Sequence, residues 1–170
     1  MQVRLERFGV PTVRALVRGA FDRPGSWHPE LPTADTVTAA RMLLGTYEAL
    51  ELDPGRSPWW VFGVVVDGVV VGDAGFHGPP PTEGPAEVEI GYQVVPALRG
   101  RGVATRACAL LLEHAWRHGA AAVRADVEPA NPYGAASRAV LRANGFAPTA
   151  DGAFVVDAVV SPQAYPRRRR

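Results

Sequence analysis

Between residues 87 and 119 the spacing of apolar residues changes period once, and this restricts the fold more than any other feature of the chain. "EVEIGYQVV" (87–95) alternates. Val88, Ile90, Tyr92 and Val94 fall on one side, and Glu87, Glu89, Gly91 and Gln93 on the other, the period of two that a strand imposes. After "PALRGRG", Ala104, Ala107, Cys108, Leu111 and Ala115 recur at helical spacing to about His118, and Gly119 stands where a helix stops. "AAVRADV" (121–127) is then a second strand. A helix between two strands of one sheet implies a crossover and a parallel pair.

The flanking segments set the rest of the sheet. "WWVFGVVV" and "VVVGDAGF" flank Asp67-Gly68, a hairpin signal because the tight turn needs residues that accept positive φ. "QVRLERF" (2–8) alternates like a first strand, and 11–20 reads as a short helix with Pro11 near its start. Thr33 or Asp35 caps a helix over about 35–50, with Val37, Ala40, Leu43, Leu44 and Tyr47 on its apolar stripe. "FDRPGSWHPELPTADT" and "HGPPPTEGP" are loops. Residues 135–144 form a last helix closed by Gly145, and "AFVVDAVV" a last strand, with room for one more near 147–150. The expected order is β-α-α-β-β-β-α-β-α-β. This is an α/β fold with a mixed sheet.

At 170 residues the chain suits one domain, expected over 1–160, followed by an arginine-rich tail at 161–170. The single cysteine, Cys108, precludes an internal disulfide, and "MQVRLERFGV" lacks the apolar core of a secretion signal. No apolar run approaches the ~18 residues of a membrane span. The expectation is a cytoplasmic protein with no membrane partner. Net charge is +1, but without Arg167 to Arg170 it is 14 minus 17, or −3. An acidic body with a terminal arginine run argues against specific nucleic-acid binding. All 18 basic residues are arginine, so mechanisms that need a lysine are excluded.

Against that background Arg99, Arg101 and Arg106 crowd the start of the helix after the turn. The helix dipole disfavours cations there. Either the arginines are solvated around an ordinary left-handed turn, or the turn holds an anion. A Walker loop fails for want of lysine, and a dinucleotide fingerprint lacks its final glycine, since Thr105 holds that place. The pattern R/Q-x-x-G-x-G/A is met by Arg99, Gly102 and Ala104. Its small residues let backbone N–H groups converge on a phosphate, and arginines add charge-assisted bonds.

"EIGYQVVPALRGRGVATRACALLLEHA" resembles the coenzyme-binding motif of the GNAT N-acetyltransferases, and "SRAVLRANGF" resembles their second coenzyme-side motif. "VVGDAGF" also fits the family's middle strand. The resemblance covers roughly 60–158, and its wording is closest to the ribosomal-protein N-terminal acetyltransferase-like branch. It implies a single-domain, mostly antiparallel sheet with a central parallel pair of splayed strands flanked by helices. It also implies acetyl-CoA as co-substrate and a small-molecule or peptide amine as acceptor, and it leaves room for a homodimer. The backbone of Arg99, Gly100, Arg101, Gly102, Val103 and Ala104 would hold the pyrophosphate. Val94 and Val95, on a strand that splays at a bulge, would pair with the pantetheine amides, and Asn131 and Ser137 would lie on the coenzyme side. Two positions depart from the pattern. Gly134 stands where an asparagine is usual, with Asn131 six residues before Ser137. Leu141 replaces a tyrosine that protonates the leaving thiolate, so Ser137, Tyr133 or water must serve.

The chemistry such a resemblance implies is direct attack of a neutral amine on an activated thioester. A carboxylate that takes the proton, directly or through water, contributes roughly 10²–10⁴-fold. Glu89 is the expected base, with Ser137 as the second catalytic residue. Glu87 shares the face of Glu89 but lies nearer the rim. A backbone N–H near Val94 or Val95 would bond the oxyanion. Cys108 reads as a small core residue, and His114 and His118 as structural groups in the last turn of their helix. No histidine spacing suits a metal. Trp27, His28, Trp59 and His77 either line the acceptor pocket or, for the tryptophans, fill the core. The competing reading is a non-catalytic acyl-CoA-binding or regulatory domain of the same fold.

Overall fold

The structure is a computed structural model that describes residues 1–158; the arginine-rich tail expected at 161–170 lies outside the described residues. Eleven elements follow in chain order: β1 (Val3–Arg7), α1 (Val10–Arg18), α2 (Ala34–Ala49), β2 (Val61–Val66), β3 (Val69–Phe76), β4 (Glu87–Val94), α3 (Val103–Arg117), β5 (Ala122–Ala125), α4 (Gly134–Ala143), β6 (Ala147–Pro148) and β7 (Phe154–Asp157). The seven strands form one sheet in the order β1-β2-β3-β4-β5-β7-β6. Every pairing is antiparallel except β4 with β5, the pair joined by the α3 crossover. The order of elements along the chain and the parallel pair are those expected from the sequence.

Local chemistry explains the framework. At the β2–β3 turn, Asp67 and Gly68 both take positive φ, 47° and 90°, the conformation a two-residue hairpin needs and glycine accepts without strain. Helix α2 begins with a capping box. The Thr33 hydroxyl accepts from the Thr36 N–H at 3.1 Å, and the Thr36 hydroxyl accepts from the Thr33 N–H at 3.2 Å. Its core stripe is Ala40, Leu43, Leu44 and Tyr47. On the opposite layer α3 buries Val103, Ala107, Cys108, Leu111, Leu112 and Ala115. His114 of α3 packs its ring against Phe62 and Phe76 of the sheet, while α2 is tied to the other face through Thr36 and Asp73. The sheet is therefore covered on both sides.

The feature that positions the site is where β4 and β5 part. Their register runs Glu87↔Ala122, Val88↔Val123, Glu89↔Arg124 and stops, whereas β4 stays paired with β3 from Ile90 to Val94. The strands splay after Glu89, as the resemblance implied. The expected bulge is absent: the β3–β4 register is continuous, and the shift observed in the sheet lies between Val64 and Val65 of β2. β5 itself runs one residue further, to Ala125, but pairs there only with β7. Among the described residues no helix is long and apolar enough to cross a membrane.

Candidate active site

The splay leaves a strip of β4 backbone without a strand partner. His77 donates its N–H to the Glu89 carbonyl and Val95 donates to the Val71 carbonyl, both at 2.9 Å. Odd-numbered residues of β4 therefore turn their amides toward β3. Alternation turns those of the even-numbered residues the other way: the Ile90 N–H closes the last rung with β5 at the Arg124 carbonyl, and those of Tyr92 and Val94 open into the splay. Of the two valines expected there, Val95 spends its N–H on the sheet, which takes it out of the donor set and leaves Val94. Pro96 ends the ladder and opens a 3-10 turn, Pro96–Leu98.

The turn that follows runs into α3 with positive φ at Gly100 (69°) and Gly102 (77°). Gly102 caps the helix without any side-chain bond. The first intrahelical bond is from the Arg106 N–H to the Gly102 carbonyl at 3.0 Å, so the N–H groups of Val103, Ala104 and Thr105 have no helical acceptor. A Cβ at Gly100 or Gly102 would meet nothing within 4 Å, so the space in front of the turn is open. The arginines divide. Arg101 is exposed. Arg106 pairs with Glu113 at 3.7 Å. Arg99 donates its Nε–H to the Val94 carbonyl at 3.0 Å and lays its guanidinium 3.9 Å from the Tyr133 ring centroid. Its side chain thus bridges the end of β4 and the start of α4.

On the α4 side, the Tyr92 hydroxyl lies 3.2 Å from the Ser137 carbonyl and 3.3 Å from the Ser137 hydroxyl. Burial pushes the Tyr92 phenol well above its ordinary range. Leu141 is fully buried. Asn131 is exposed and turns its side-chain carbonyl onto the Tyr133 N–H at 2.8 Å, a local turn that engages this oxygen at the start of α4.

On the α2 side a cavity of about 190 Å³ opens against the sheet, lined by Asp35, Ala39, Leu43, Asp73, Phe76, His77, Gly91 and Gln93 among others. Asp73 is 6% exposed. One of its oxygens accepts from the Thr36 hydroxyl at 2.7 Å and from Gln93 Nε2 at 2.8 Å. Desolvation still raises its carboxyl to about 6. Gln93 completes the network, giving a second bond to the Thr36 hydroxyl at 2.8 Å and accepting from the Thr33 hydroxyl at 3.0 Å. The cap of α2 is in this way fastened to β3 and β4.

Glu89 does not point freely at this cavity. Its carboxylate meets His77 Nδ1 at 2.9 Å. That bond holds Glu89 below the usual carboxylate range and raises His77 above the usual imidazole one. Both side chains, with Glu87 and Arg124, line a second cavity of about 260 Å³. Glu87 makes no side-chain bond among the described residues. Of the four aromatic residues expected near an acceptor, His77 alone lines the cavities. Trp27 stacks on Phe8 and meets Phe21 at a tilt, Trp59 packs on Phe76, and both are buried. His28 turns its Nδ1 to the Glu30 N–H at 3.3 Å. Cys108 is fully buried, with its thiol pushed up to about 12, and His114 sits 2.8 Å from the Pro58 carbonyl; both are structural, as read from the sequence. Asp73, Gln93, Thr36 and Tyr92 were not anticipated as site residues. A lone acid inside the apolar run "VVVGDAGF" was the available signal for Asp73.

Comparison with known proteins follows the same lines. The family profile described as "Acetyltransferase (GNAT) domain" matches residues 12–147. No curated protein sequence matches the chain. Among solved structures, Mycobacterium smegmatis RimJ in complex with CoA-disulfide is 24% identical with a TM-score of 0.63, covering 95% of this chain and 84% of its own. Aminoglycoside acetyltransferase AAC(6')-Ib with coenzyme A and kanamycin is 16% identical with a TM-score of 0.58, covering 93% and 96%. RimL, a ribosomal L7/L12 alpha-N-protein acetyltransferase crystallised with coenzyme A, is 16% identical with a TM-score of 0.57, covering 92% and 94%. At these identities the likeness is one of fold.

Proposed function

Since the chain belongs to the GNAT acetyltransferase family, we propose that it moves the acetyl group of acetyl-CoA to a primary amine by direct attack. The observation that carries this reading is the open amide edge of Tyr92 and Val94, which leads to the uncapped start of α3. Structural neighbours crystallised with coenzyme A support the same co-substrate. The Arg99 N–H is bonded to the Pro96 carbonyl at 3.2 Å, which takes it out of the expected cradle; in this reading the N–H groups from Gly100 to Ala104 and the exposed Arg101 hold the pyrophosphate, where helix N-terminus and guanidinium both favour negative charge. The pantetheine adds to β4 as a strand would, which requires Arg99 to release the Val94 carbonyl. The Val94 N–H then faces the developing oxyanion.

The acceptor enters from the α2 side. The cavity there carries Asp35 and Asp73, and no arginine lines it, so it suits a cationic amine. An α-amine with pKa ~8 is partly neutral at pH 7, whereas an alkylamine like that of lysine, near ~10.4, needs more help. That help comes from the pair formed by Glu89 and His77. On the other face the hydroxyls of Ser137 and Tyr92 return a proton to the leaving thiolate, in place of the tyrosine that Leu141 lacks. Asn131 contributes through the shape of the α4 turn. The second reading, a non-catalytic acyl-CoA-binding domain, draws on the full burial of Leu141.

Thiol release from acetyl-CoA separates the two, with kanamycin, n-butylamine and the peptide Ala-Ala-Ala as acceptors. Turnover with any of them, together with acetyl-CoA binding, supports the transferase. Binding without turnover supports the second reading, and no binding refutes both.

A further inference from the structure

Resting on the acetyl-transfer reading, the geometry points to His77 Nε2, rather than Glu89, as the atom that takes the proton from the acceptor amine, with Glu89 as its positioning residue. Three observations converge on this division. First, the Glu89 carboxylate is ionised at neutral pH and can only accept, so at 2.9 Å the proton between the two residues belongs to His77 Nδ1. The neutral ring then carries its lone pair on Nε2. Second, Nε2 overhangs Gly91. A Cβ built on Gly91 would lie 3.0 Å from it, and Gly91 lines the acceptor cavity beside Asp73 and Gln93. The missing side chain leaves space at the one nitrogen that has no partner among the described residues. Third, the ring is held at two points. Its backbone N–H bonds the Glu89 carbonyl at 2.9 Å, and its Nδ1 bonds the Glu89 side chain.

The two cavities explain why both residues are needed. His77 lines both, whereas Glu89 lines only the second. A carboxylate at Glu89 must reach across the imidazole to touch an amine over Gly91. The imidazole is already there. In the step itself the amine nitrogen forms the C–N bond and gives its proton to Nε2. The C–S bond breaks, and the thiolate takes a proton from the Tyr92–Ser137 side. The imidazolium formed is stabilised by Glu89 through Nδ1, the arrangement of a base held by a carboxylate. The charged groups that line the two cavities beside the ring are Glu89 and Glu87 from β4, Asp73 from β3, Asp35 from α2 and Arg124 from β5, and Asp126, just after β5, also acts on it. Carboxylates outnumber cations around it, which favours a base that is charged after the step.

His77→Asn is the informative variant, because its amide keeps a donor toward Glu89 and deletes Nε2. We expect His77→Asn to lower kcat on the order of 10²-fold, to leave acetyl-CoA affinity unchanged, and to lose the rise of kcat with pH. Glu89→Gln should lose less and keep that rise at lower pH, since the ring loses its carboxylate. If Glu89→Gln costs more than His77→Asn, and His77→Asn keeps the wild-type pH profile, Glu89 is the direct base and the division is wrong. A second readout needs no acceptor. In ¹⁵N NMR of the histidine rings, the neutral wild-type ring should carry its proton on Nδ1, and Glu89→Gln should lower the pKa of that ring. A neutral ring protonated on Nε2, or a pKa that Glu89→Gln leaves unmoved, overturns the proposal. Absence of acetyl-CoA binding by the wild type would instead overturn the transferase reading, and the NMR result would still judge the pair.

Discussion

Replacing Asp73 by asparagine should make the protein more stable above neutrality and less dependent on pH. Asp73 is 6% exposed, and its folded carboxyl titrates near 6 instead of 3.8, chiefly through desolvation and against the hydrogen bonds of Thr36 and Gln93. A folded pKa above the unfolded one means that the folded state binds the proton more tightly. Below pH 3.8 both states are protonated and nothing is lost. As pH rises through 6 the favourable difference disappears. A shift of about 2 units at 1.36 kcal/mol each gives a loss of about 3 kcal/mol across that window. Asparagine keeps an oxygen for the shared bonds and cannot ionise. Urea unfolding of both proteins at steps from about pH 4 to pH 8 should show the difference moving by about 3 kcal/mol in favour of the variant. Groups that titrate in both proteins cancel in that difference. Parallel curves would refute the reasoning, because they would mean that Asp73 ionises at its ordinary pKa and is not desolvated. The same change should raise the KM of a cationic acceptor, since it removes a charge from the cavity.

Two further substitutions probe the coenzyme side. Arg101→Glu should weaken binding of CoA far more than of dephospho-CoA if Arg101 meets the 3′-phosphate, and weaken both alike if it meets the pyrophosphate; calorimetry distinguishes these, and unchanged affinity for both returns Arg101 to a solvated turn. Tyr92→Phe removes the hydroxyl beside Ser137. It should cost about 1 kcal/mol of stability and lower kcat without changing acetyl-CoA affinity, whereas unchanged kcat would exclude that hydroxyl from the proton route.

What was legible in the sequence follows from what is local. The period switch between β4 and α3 and the Asp67-Gly68 hairpin are encoded within a few residues of where they act and were read in place, and the cap of α2 was narrowed to Thr33 or Asp35, of which the structure takes Thr33. Glu89 was legible because it faces away from Val88 and Ile90. Its partner was not. The pairing of His77 with Glu89 depends on the register between β3 and β4, and a long loop rich in proline and glycine connects them, so no turn type fixes that register. The tryptophans of the expected acceptor pocket went to the core for a related reason. Trp27 and Trp59 bury large apolar rings, and the sequence does not say which loop residues the sheet will cover. The choice between Val94 and Val95 as the expected oxyanion donor turns on one hydrogen bond, from Val95 to Val71, a strand away.

The residues that gather at the splay share one property: each is unfavourable where it stands, judged by folding alone. Asp73 is an acid in a buried strand. Gly91 gives up side-chain packing in the middle of β4. Arg99 and Arg101 precede a helix N-terminus that repels them. A surface that served only stability would replace these residues with better formers, since each costs from about a few tenths to a few kcal/mol. Their convergence on one opening in the sheet, with α2 fastened to it through Thr36 and Gln93, is the pattern expected where local rules are set aside for a ligand. In the proposed reaction the start of α3 and the acidic cavity beside α2 would complement opposite ends: one would receive a negatively charged carrier, the other a cationic amine, and the β4 backbone between them would meet both.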